Sequence, residues 1–238
     1  MTYEGHPLPP LIEGVLVKRY KRFLADVILN DGTMVTAHCP NSGSMRGCSE
    51  PGRPVYLSQS DNPKRKLKYT WELMEMPHTL IGINTLIPNK LVLASIAHGL
   101  VPELSGYSQF KPEIKTSDHT RLDILLTRDN GEKCYVEVKN CTLVEEGVAR
   151  FPDAVTTRGQ KHLDELEWLA TKGHRAVLFF LIQRMDAIRF KPAADIDPVY
   201  ADALARVAEN GVEVIARSAV MTREMISMGK PLPMVLTS

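Results

Sequence analysis

The feature that most constrains this chain is a hairpin sequence between residues 121 and 139. Its two arms, residues 121–128 and 132–139, alternate polar with apolar residues or run apolar, and Asp129-Asn130-Gly131 lies between them. Gly131 can adopt the left-handed conformation that a three-residue hairpin loop needs. Pairing about Asn130 then sets Arg128 opposite Glu132 and determines every pair beyond. The segment therefore predicts two antiparallel strands with a defined register.

The predicted register brings acidic and basic side chains together. Asp123 faces Glu137, and Arg121 faces Lys139. Glu137 and Lys139 share one face because strand side chains alternate, and opposed Cβ atoms lie about 4.5–5.5 Å apart. Facing carboxylates are unfavourable in a purely structural ladder but can bind one cation. The alternative is a solvated strand face on which diagonal contacts, Asp123 with Lys139 and Arg121 with Glu137, offset the repulsion.

Two carboxylates beside a lysine suit metal-assisted hydrolysis of a phosphodiester. Mg²⁺ keeps several waters and takes its other ligands from one or two carboxylates and from substrate phosphate. The ion activates water and neutralises developing charge, while a lysine stabilises hydroxide or the phosphate oxygens. We therefore predict Asp123 and Glu137 as metal ligands, Lys139 as a catalytic residue, and Mg²⁺ or Mn²⁺ as the cofactor.

Two neighbouring segments add candidates to this site. Glu113 is predicted as a further catalytic metal ligand, with an exposed surface glutamate as the equally weighted alternative. Downstream, Thr156 opens a predicted helix that carries Gln160 and Lys161 in its first turns. Because a helix N-terminus favours phosphate, we predict that Gln160 and Lys161 position the substrate.

Positive charge is clustered in the first third of the chain, although the formal net charge is only +1. That balance argues against a protein that coats nucleic acid over its whole surface. Two basic segments interleave cations with aromatic residues, a combination that binds phosphates and stacks bases. The alternative is that Tyr20, Phe23 and Trp71 are core residues and the lysines only solubilise a rim. The predicted nucleic-acid-binding residues are Lys18, Arg19, Lys21, Arg22, Lys64, Arg65, Lys66, Lys68 and Tyr69.

The spacing of extended segments predicts two domains. Short strands separated by turn residues recur from Gly14 to Asn84, which is typical of a small barrel. Pro88 suits the first turn of a helix over residues 89–97, so we expect domains at residues 1–85 and 86–238. The loop at residues 40–44 has amides and hydroxyls that offer an alternative phosphate site.

The second half alternates helices with strands. An apolar stripe follows Gly159, residues 176–182 run apolar as in a central buried strand, and Asp197 precedes Pro198 as a helix cap. Trp168 is expected in or near the core. We find no apolar run of the 18 or so residues that a membrane span needs and no signal pattern at the N-terminus, so we expect a cytoplasmic protein without a membrane partner.

These motifs resemble known families. The acidic hairpin followed by a Gln-Lys helix is similar to the PD-(D/E)xK nuclease superfamily. The whole chain resembles the sugar fermentation stimulation protein (SfsA) family. That wider resemblance is carried by residues 36–45, 62–73, 84–89, 137–143 and 151–156.

The resemblance implies an α+β or α/β architecture, with an OB-fold barrel before a nuclease-like mixed sheet and flanking helices. It also implies DNA binding with little sequence preference and a link to sugar utilisation. The superfamily's metal-binding acids correspond to Asp123 and Glu137 and its lysine to Lys139, while Leu122 stands where the superfamily name has Pro. Two functions follow: a Mg²⁺-dependent nuclease, or a non-hydrolytic DNA-binding regulator of sugar (maltose-type) metabolism genes. RNA stays open as a third ligand.

Overall fold

The structure is a computed structural model that describes residues 3–117 and 120–236. Its helices are α1 (Pro88–Ala97), α2 (Thr157–Thr171) and α3 (Pro198–Glu209), and a short 3₁₀ helix spans Pro102–Leu104. Its strands are β1 (His6–Pro7), β2 (Leu11–Tyr20), β3 (Leu24–Leu29), β4 (Met34–His38), β5 (Pro54–Gln59), β6 (Tyr69–Met76), β7 (Thr79–Gly82), β8 (Gln109–Lys115), β9 (Arg121–Thr127), β10 (Lys133–Cys141), β11 (Leu143–Glu145), β12 (Val148–Phe151), β13 (Arg175–Ile182), β14 (Arg189–Pro192), β15 (Glu213–Met221) and β16 (Met225–Pro231).

The N-terminal strands form the predicted barrel. Their order is β4-β3-β2-β5-β6-β7, and a short parallel pairing of β4 with β6 closes the barrel. The ladder shifts register on β2 between Leu16 and Lys18, and such a bulge increases the local bend that closure needs. Trp71 and Leu57 fill the interior with other apolar side chains. The alternative that placed Trp71 in the barrel core is therefore correct.

The second part is a mixed sheet with helices on both faces. Within the described residues, the sheet order is β1-β16-β15-β13-β10-β9-β8, and β10, β13 and β15 run parallel. Helix α1 packs on one face, while α2 and α3 pack on the other. Strand β13 is buried and central, because an apolar run suits a strand that is covered on both faces. The predicted fold, an OB-type barrel followed by a nuclease-like mixed sheet, is confirmed.

The two parts are joined more closely than a linker would allow. Strand β1, at the start of the chain, pairs with β16 in the second sheet. Tyr56 and Leu73 of the barrel belong to the same apolar core as α1. The proposed division at residue 85 stays a prediction, and the structure adds that residues 6–7 pair with the second sheet.

Two local expectations fail for identifiable reasons. Trp168 is 49% exposed rather than in the core, because it lies off the stripe of Leu163, Leu166 and Leu169 that α2 buries. Lys172 lies over its indole ring instead. The small sheet β11-β12-β14 was not predicted, because these strands are too short to show an alternating pattern. In the part of the chain that the structure covers, no helix is long and apolar enough to cross a membrane.

Candidate functional site

The hairpin forms with the predicted register. The ladder between β9 and β10 runs from Thr127–Lys133 to Ile124–Val136. Gly131 has a φ of 87°, the left-handed conformation that the turn requires. The sequence therefore determined both the turn and the pairing of these strands.

Beyond that ladder, the strands separate at the candidate site. Among the described pairs, Asp123–Glu137 and Arg121–Lys139 are not part of the ladder, so the predicted direct opposition is wrong in detail. Oδ2 of Asp123 instead accepts a hydrogen bond from the backbone N–H of Val138 at 2.8 Å. The Asp123 carboxylate thus accepts the hydrogen bond that a backbone carbonyl of β9 would accept in a regular ladder. This substitution opens the sheet beside Glu137.

Asp123 is held in an environment that opposes its charge. Its Oδ1 accepts a second hydrogen bond, from Nδ2 of Asn89 on α1 at 2.6 Å. Burial and the nearby charge of Glu137 raise the pKa of Asp123 to about 6, against the opposing effects of the Val138 N–H, Lys139 and Asn89. A bound cation would relieve this electrostatic cost.

Glu137 is buried, and its two carboxylate oxygens have different surroundings. Its Oε1 accepts a hydrogen bond from Nζ of Lys139 at 2.7 Å and contacts Nδ1 of His162. Its Oε2 is buried and has no hydrogen-bond partner within the described residues. Burial acts to raise the pKa of Glu137, but Lys139 and His162 together outweigh it and hold that pKa below its usual value. The residue is therefore an ionised carboxylate with one uncompensated oxygen.

These residues fit a hard divalent cation. A buried anionic oxygen without a partner is costly, and a metal ion is one of the few groups that compensate it. Asp123 and Glu137 supply two carboxylates close enough for each charge to affect the other. In the described part of the chain no cluster of three or more His, Cys, Asp or Glu side chains could hold a metal. Waters and substrate phosphate would therefore complete the shell, as is usual for Mg²⁺.

Three predicted residues lie outside this contact group. Glu113 is 70% exposed on β8 and forms an ion pair with Arg121 at 3.0 Å, so the structure does not bring it to Asp123. Gln160 is half-buried and Lys161 is exposed in the first turns of α2. None of the hydrogen bonds described for this chain joins Gln160 or Lys161 to Asp123, Glu137 or Lys139.

His162, like Asn89, is a site residue that sequence reasoning missed. It is buried on α2, contacts Glu137, and its Nδ1 lies 3.5 Å from Nζ of Lys139. The sequence did carry a signal, because His162 precedes Leu163 and lies one helical turn before Leu166 on the face that α2 buries. A polar residue on such a face needs a partner, and the nearest predicted acid was Glu137.

The start of α2 is fixed by a chain of caps. Oγ1 of Thr156 accepts a hydrogen bond from the N–H of Gly159 at 3.0 Å. Asp197 accepts from the N–H of Thr156 at 2.8 Å and from that of Tyr200 at 3.0 Å, so one carboxylate joins the starts of α2 and α3. This arrangement holds His162 at a constant position relative to β10.

The predicted basic segments meet at one end of the barrel. Leu24 pairs with His38, Ala37 with Tyr69, and Tyr69 with Gln59. These pairs place the β2–β3 turn and the β5–β6 loop at the same end, which we call the basic rim. The basic rim comprises Lys18, Arg19, Lys21, Arg22, Lys64, Arg65, Lys66 and Lys68.

The basic side chains of the rim differ in exposure and in their hydrogen-bond partners. The exposed residues are Lys18, Lys21, Arg22, Lys64, Lys66 and Lys68, of which Lys18 forms an ion pair with Asp26 at 3.7 Å. Arg19 instead donates to the carbonyls of Asn41 and Gly43, and Arg65 donates to Thr70. Tyr69 is half-buried against the barrel core, whereas Phe23 is 48% exposed. Arg19 and Arg65 therefore have structural roles in addition to any contact with a ligand.

The loop at residues 40–44 is occupied by a carboxylate. Oδ2 of Asp153, from the segment before α2, accepts hydrogen bonds from Oγ of Ser44 at 2.8 Å and from the N–H of Met45 at 3.0 Å. The Ser44 hydroxyl, one donor of the alternative phosphate site, therefore binds a carboxylate in the structure, and phosphate binding by this loop stays a prediction. The contact joins the barrel to the second sheet next to the candidate site.

Comparisons with known proteins agree with this architecture. Residues 17–83 match the family described as SfsA N-terminal OB domain, and residues 86–225 match the Sugar fermentation stimulation protein RE domain. A sugar fermentation stimulation protein homolog from Geotalea daltonii is 52% identical over 96% of this chain and 99% of its own length. One from Geobacter sulfurreducens is 53% identical over 95% of this chain and 97% of its own length.

A solved structure matches nearly the whole chain. The structure of Pyrococcus furiosus SfsA in complex with Ca²⁺ superposes with a TM-score of 0.89 and 28% identity, and it covers 98% of this chain and 99% of its own. The barrel and the mixed sheet therefore occur together, in the same arrangement, in a solved homologue.

Proposed function

This chain belongs to the sugar fermentation stimulation protein family, and from that premise we propose that it binds DNA with little sequence preference and hydrolyses phosphodiester bonds with a divalent metal. The proposed ligands are Asp123 and Glu137, and Mg²⁺ or Mn²⁺ is the proposed cofactor. Lys139 is the proposed catalytic residue, with Gln160 and Lys161 positioning substrate at the start of α2.

One observation carries the proposal: Oε2 of Glu137 is buried, anionic and without a partner among the described residues, beside a second carboxylate whose pKa is raised to about 6. A purely structural pair of acids gains nothing from such an arrangement. The family's solved Pyrococcus furiosus member is described in complex with Ca²⁺, which supports the use of a divalent ion by this fold. Carboxylate ligands suit Mg²⁺ and Mn²⁺ as well as Ca²⁺.

The protein's own groups have separate tasks in this proposal. A bound divalent ion supplies an activated water and neutralises charge on the phosphate. Lys139 is only 13% exposed, so its ammonium charge is poorly screened where the scissile phosphate would lie. His162 and Lys139 both contact Oε1 of Glu137, which leaves Oε2 available to the metal ion. Asn89 and the Val138 N–H orient Asp123.

The basic rim supports DNA as the ligand. Its exposed lysines and arginines offer phosphate contacts that do not depend on sequence, and Phe23 and Tyr69 offer surfaces for stacking. The second candidate function is a DNA-binding regulator of sugar metabolism genes. It uses the same basic rim but does not hydrolyse DNA with a metal ion.

A cleavage assay separates these two functions. Purified protein with Mg²⁺ or Mn²⁺ is incubated with single-stranded, duplex, nicked and branched DNA, and with matched RNA. We expect cutting that EDTA abolishes and that Lys139→Ala reduces about 10²–10³-fold, as for loss of one charge-stabilising group. Lys133→Ala, an exposed lysine on the same strand, is the matched control. Binding without cutting of any substrate, or cutting that survives Asp123→Ala, contradicts the enzymatic proposal.

A further inference from the structure

A small cavity lies between the barrel and the candidate site. It has a volume of about 180 Å³. Asn140 and Cys141, at the end of β10 directly after Lys139, form one wall, and the loop at residues 40–44 forms another. Strand residues rise about 3.3 Å each, so this wall begins within a few ångströms of Lys139 along the chain. Thr85, Arg150, Phe151 and Asp153 also line the cavity.

Hydrogen bonds hold the walls of this cavity in place. Arg19 donates to the carbonyls of Asn41 and Gly43, and Oδ1 of Asn41 accepts from the N–H of Gly43 at 2.9 Å. Oγ1 of Thr85 donates to the carbonyl of Pro40 at 2.8 Å. The cavity is therefore preorganised, and a basic-rim residue, Arg19, supports one of its walls.

The lining has both a free donor and a free acceptor. Oδ1 of Asn140 accepts from Gln183 at 2.9 Å, which leaves its Nδ2 without an acceptor among the described residues. Both hydrogen bonds to the Asp153 side chain reach Oδ2, which leaves Oδ1 without a donor within the described chain. Phe151 also lines the cavity, and its ring packs against Phe180 and Tyr200 of the core. A nucleobase edge presents an acceptor and a donor that complement the Asn140 amide and the Asp153 carboxylate.

The charge balance of the cavity argues against a phosphate. The one cationic side chain in the lining, Arg150, is already paired with Glu145 and Asp195. Asp153 adds a carboxylate that repels an anion. The volume is also below the roughly 300–1,000 Å³ of pockets that enclose a whole drug-sized ligand, which suits one planar base better than a whole nucleotide.

We propose that this cavity binds one unpaired nucleobase of the DNA strand whose phosphate lies at Lys139. The inference rests on the proposed function and adds its substrate class: DNA with an unpaired base beside the scissile phosphate. A base within a perfect duplex would first have to leave the stack, at a cost of a few kcal/mol. Single strands, flaps, nicks with frayed ends and mismatches are then preferred over perfect duplex.

The test compares two strands that differ only in their bases. A short single-stranded DNA and an abasic deoxyribose-phosphate chain of equal length are titrated in EDTA, so that binding is measured without cleavage. Wild type is expected to bind the base-bearing strand more tightly. Thr85→Trp, which fills the cavity, is expected to lower affinity for the base-bearing strand by about 5-fold or more, as for loss of two hydrogen bonds, and to leave affinity for the abasic chain unchanged. Leu86→Trp, at the exposed neighbouring position, is the matched control and changes neither.

Each outcome decides between the proposals. If Thr85→Trp behaves as Leu86→Trp does, or wild type binds both strands equally, the cavity does not bind a base. If wild type binds neither strand, DNA binding itself fails and the inference fails with it. A thermal melt shows whether Thr85→Trp is folded, and if it is not, Thr85→Met, a smaller side chain, is expected to give the same selective loss.

Discussion

At the scale of single residues, the position of Asp123 lowers the stability of the folded protein, because its surroundings disfavour the ionised carboxylate. Its pKa rises from an ordinary value of 3.8 to about 6, mainly through burial and the charge of Glu137. The folded state therefore holds its proton more tightly than the unfolded state does. Between these two pKa values the free energy of unfolding falls as pH rises, and the loss is complete above pH 6.

Replacement of Asp123 should therefore stabilise the metal-free protein. In Asp123→Asn the new Oδ1 can keep the hydrogen bond from the Val138 N–H, and the new Nδ2 can donate to Oδ1 of Asn89 once the Asn89 amide has rotated. We therefore expect Asp123→Asn to raise the free energy of unfolding by about 1–3 kcal/mol at pH 8, because a shift of one pKa unit corresponds to about 1.4 kcal/mol. The gain should shrink as pH falls towards 4. Urea denaturation in EDTA at both pH values measures it, with Glu132→Gln, an exposed carboxylate, as control. A loss of stability at pH 8 would show that Asp123 is not under electrostatic strain.

His162 is the second residue whose role can be measured. It acts through Glu137 as a positioning residue, and loss of such a partner typically lowers metal affinity about 10–100-fold. We expect His162→Ala to show that reduction for Mn²⁺ by calorimetry, with the metal-free fold retained by circular dichroism. Lys172→Ala, at the end of the same helix, is the control. An unchanged Mn²⁺ affinity in His162→Ala would show that His162 does not support metal binding.

Side-chain roles at this scale were only partly predictable from sequence. Asp123, Glu137 and Lys139 stood out because their types and spacing match metal chemistry. His162 and Asn89 did not, because each reaches the site from a helix whose docking depends on the tertiary fold. The same holds for Arg19, which a basic cluster suggests as a phosphate contact and which the structure uses to support a loop.

At the scale of elements, sequence patterns predicted the hairpin, the barrel strands and β13, but they missed other strands, including the seven-residue strands β8 and β16. The hairpin, the barrel strands and β13 have alternation or apolar runs long enough to identify. The sheet β11-β12-β14 consists of strands of only three or four residues, whose pairing is determined by neighbours far along the chain. The separation of β9 from β10 at Asp123 was also not predicted. A side chain that replaces a backbone carbonyl as a hydrogen-bond acceptor leaves no periodic pattern in the sequence.

The basic rim gives a prediction at this scale. Simultaneous replacement of Lys64, Lys66 and Lys68 by Ala removes three exposed charges from the β5–β6 loop. Each phosphate contact contributes about 0.7 to the slope of log affinity against log salt for single-stranded DNA, so we expect the slope to decrease by about 2. Fluorescence anisotropy across a salt series measures it. The control replaces Lys172, Lys191 and Lys230, exposed lysines of the second part, and an equal decrease there would argue against a localised rim.

At the scale of the whole molecule, the barrel and the mixed sheet are expected to unfold together. Tyr56 and Leu73 lie in the core beneath α1, β1 pairs with β16, and Asp153 holds the loop at residues 40–44. These connections join residues that are far apart in sequence. The sequence suggested a boundary near residue 85, but long-range packing of this kind has no local pattern from which to predict it.

The two tryptophans allow this cooperativity to be measured. Trp71 lies in the barrel and Trp168 on α2, so Trp168→Phe and Trp71→Phe each leave a reporter in one part. In each variant, urea transitions followed by fluorescence and by far-ultraviolet circular dichroism should coincide. Leu73→Ala should lower the stability seen by both reporters by about 2–5 kcal/mol. Separate transitions would show that the parts fold independently.

The divalent-metal site is central to the proposed function, and a crystal soaked in Mn²⁺ tests this site most directly. Anomalous scattering locates the ion without reference to any activity. We predict a peak coordinated by Asp123 and by Oε2 of Glu137, with waters in the remaining positions, and no peak in crystals of Asp123→Asn. Absence of a peak there in the wild-type protein, or Oε2 of Glu137 bound only by water at saturating Mn²⁺, would contradict the proposed metal-dependent chemistry.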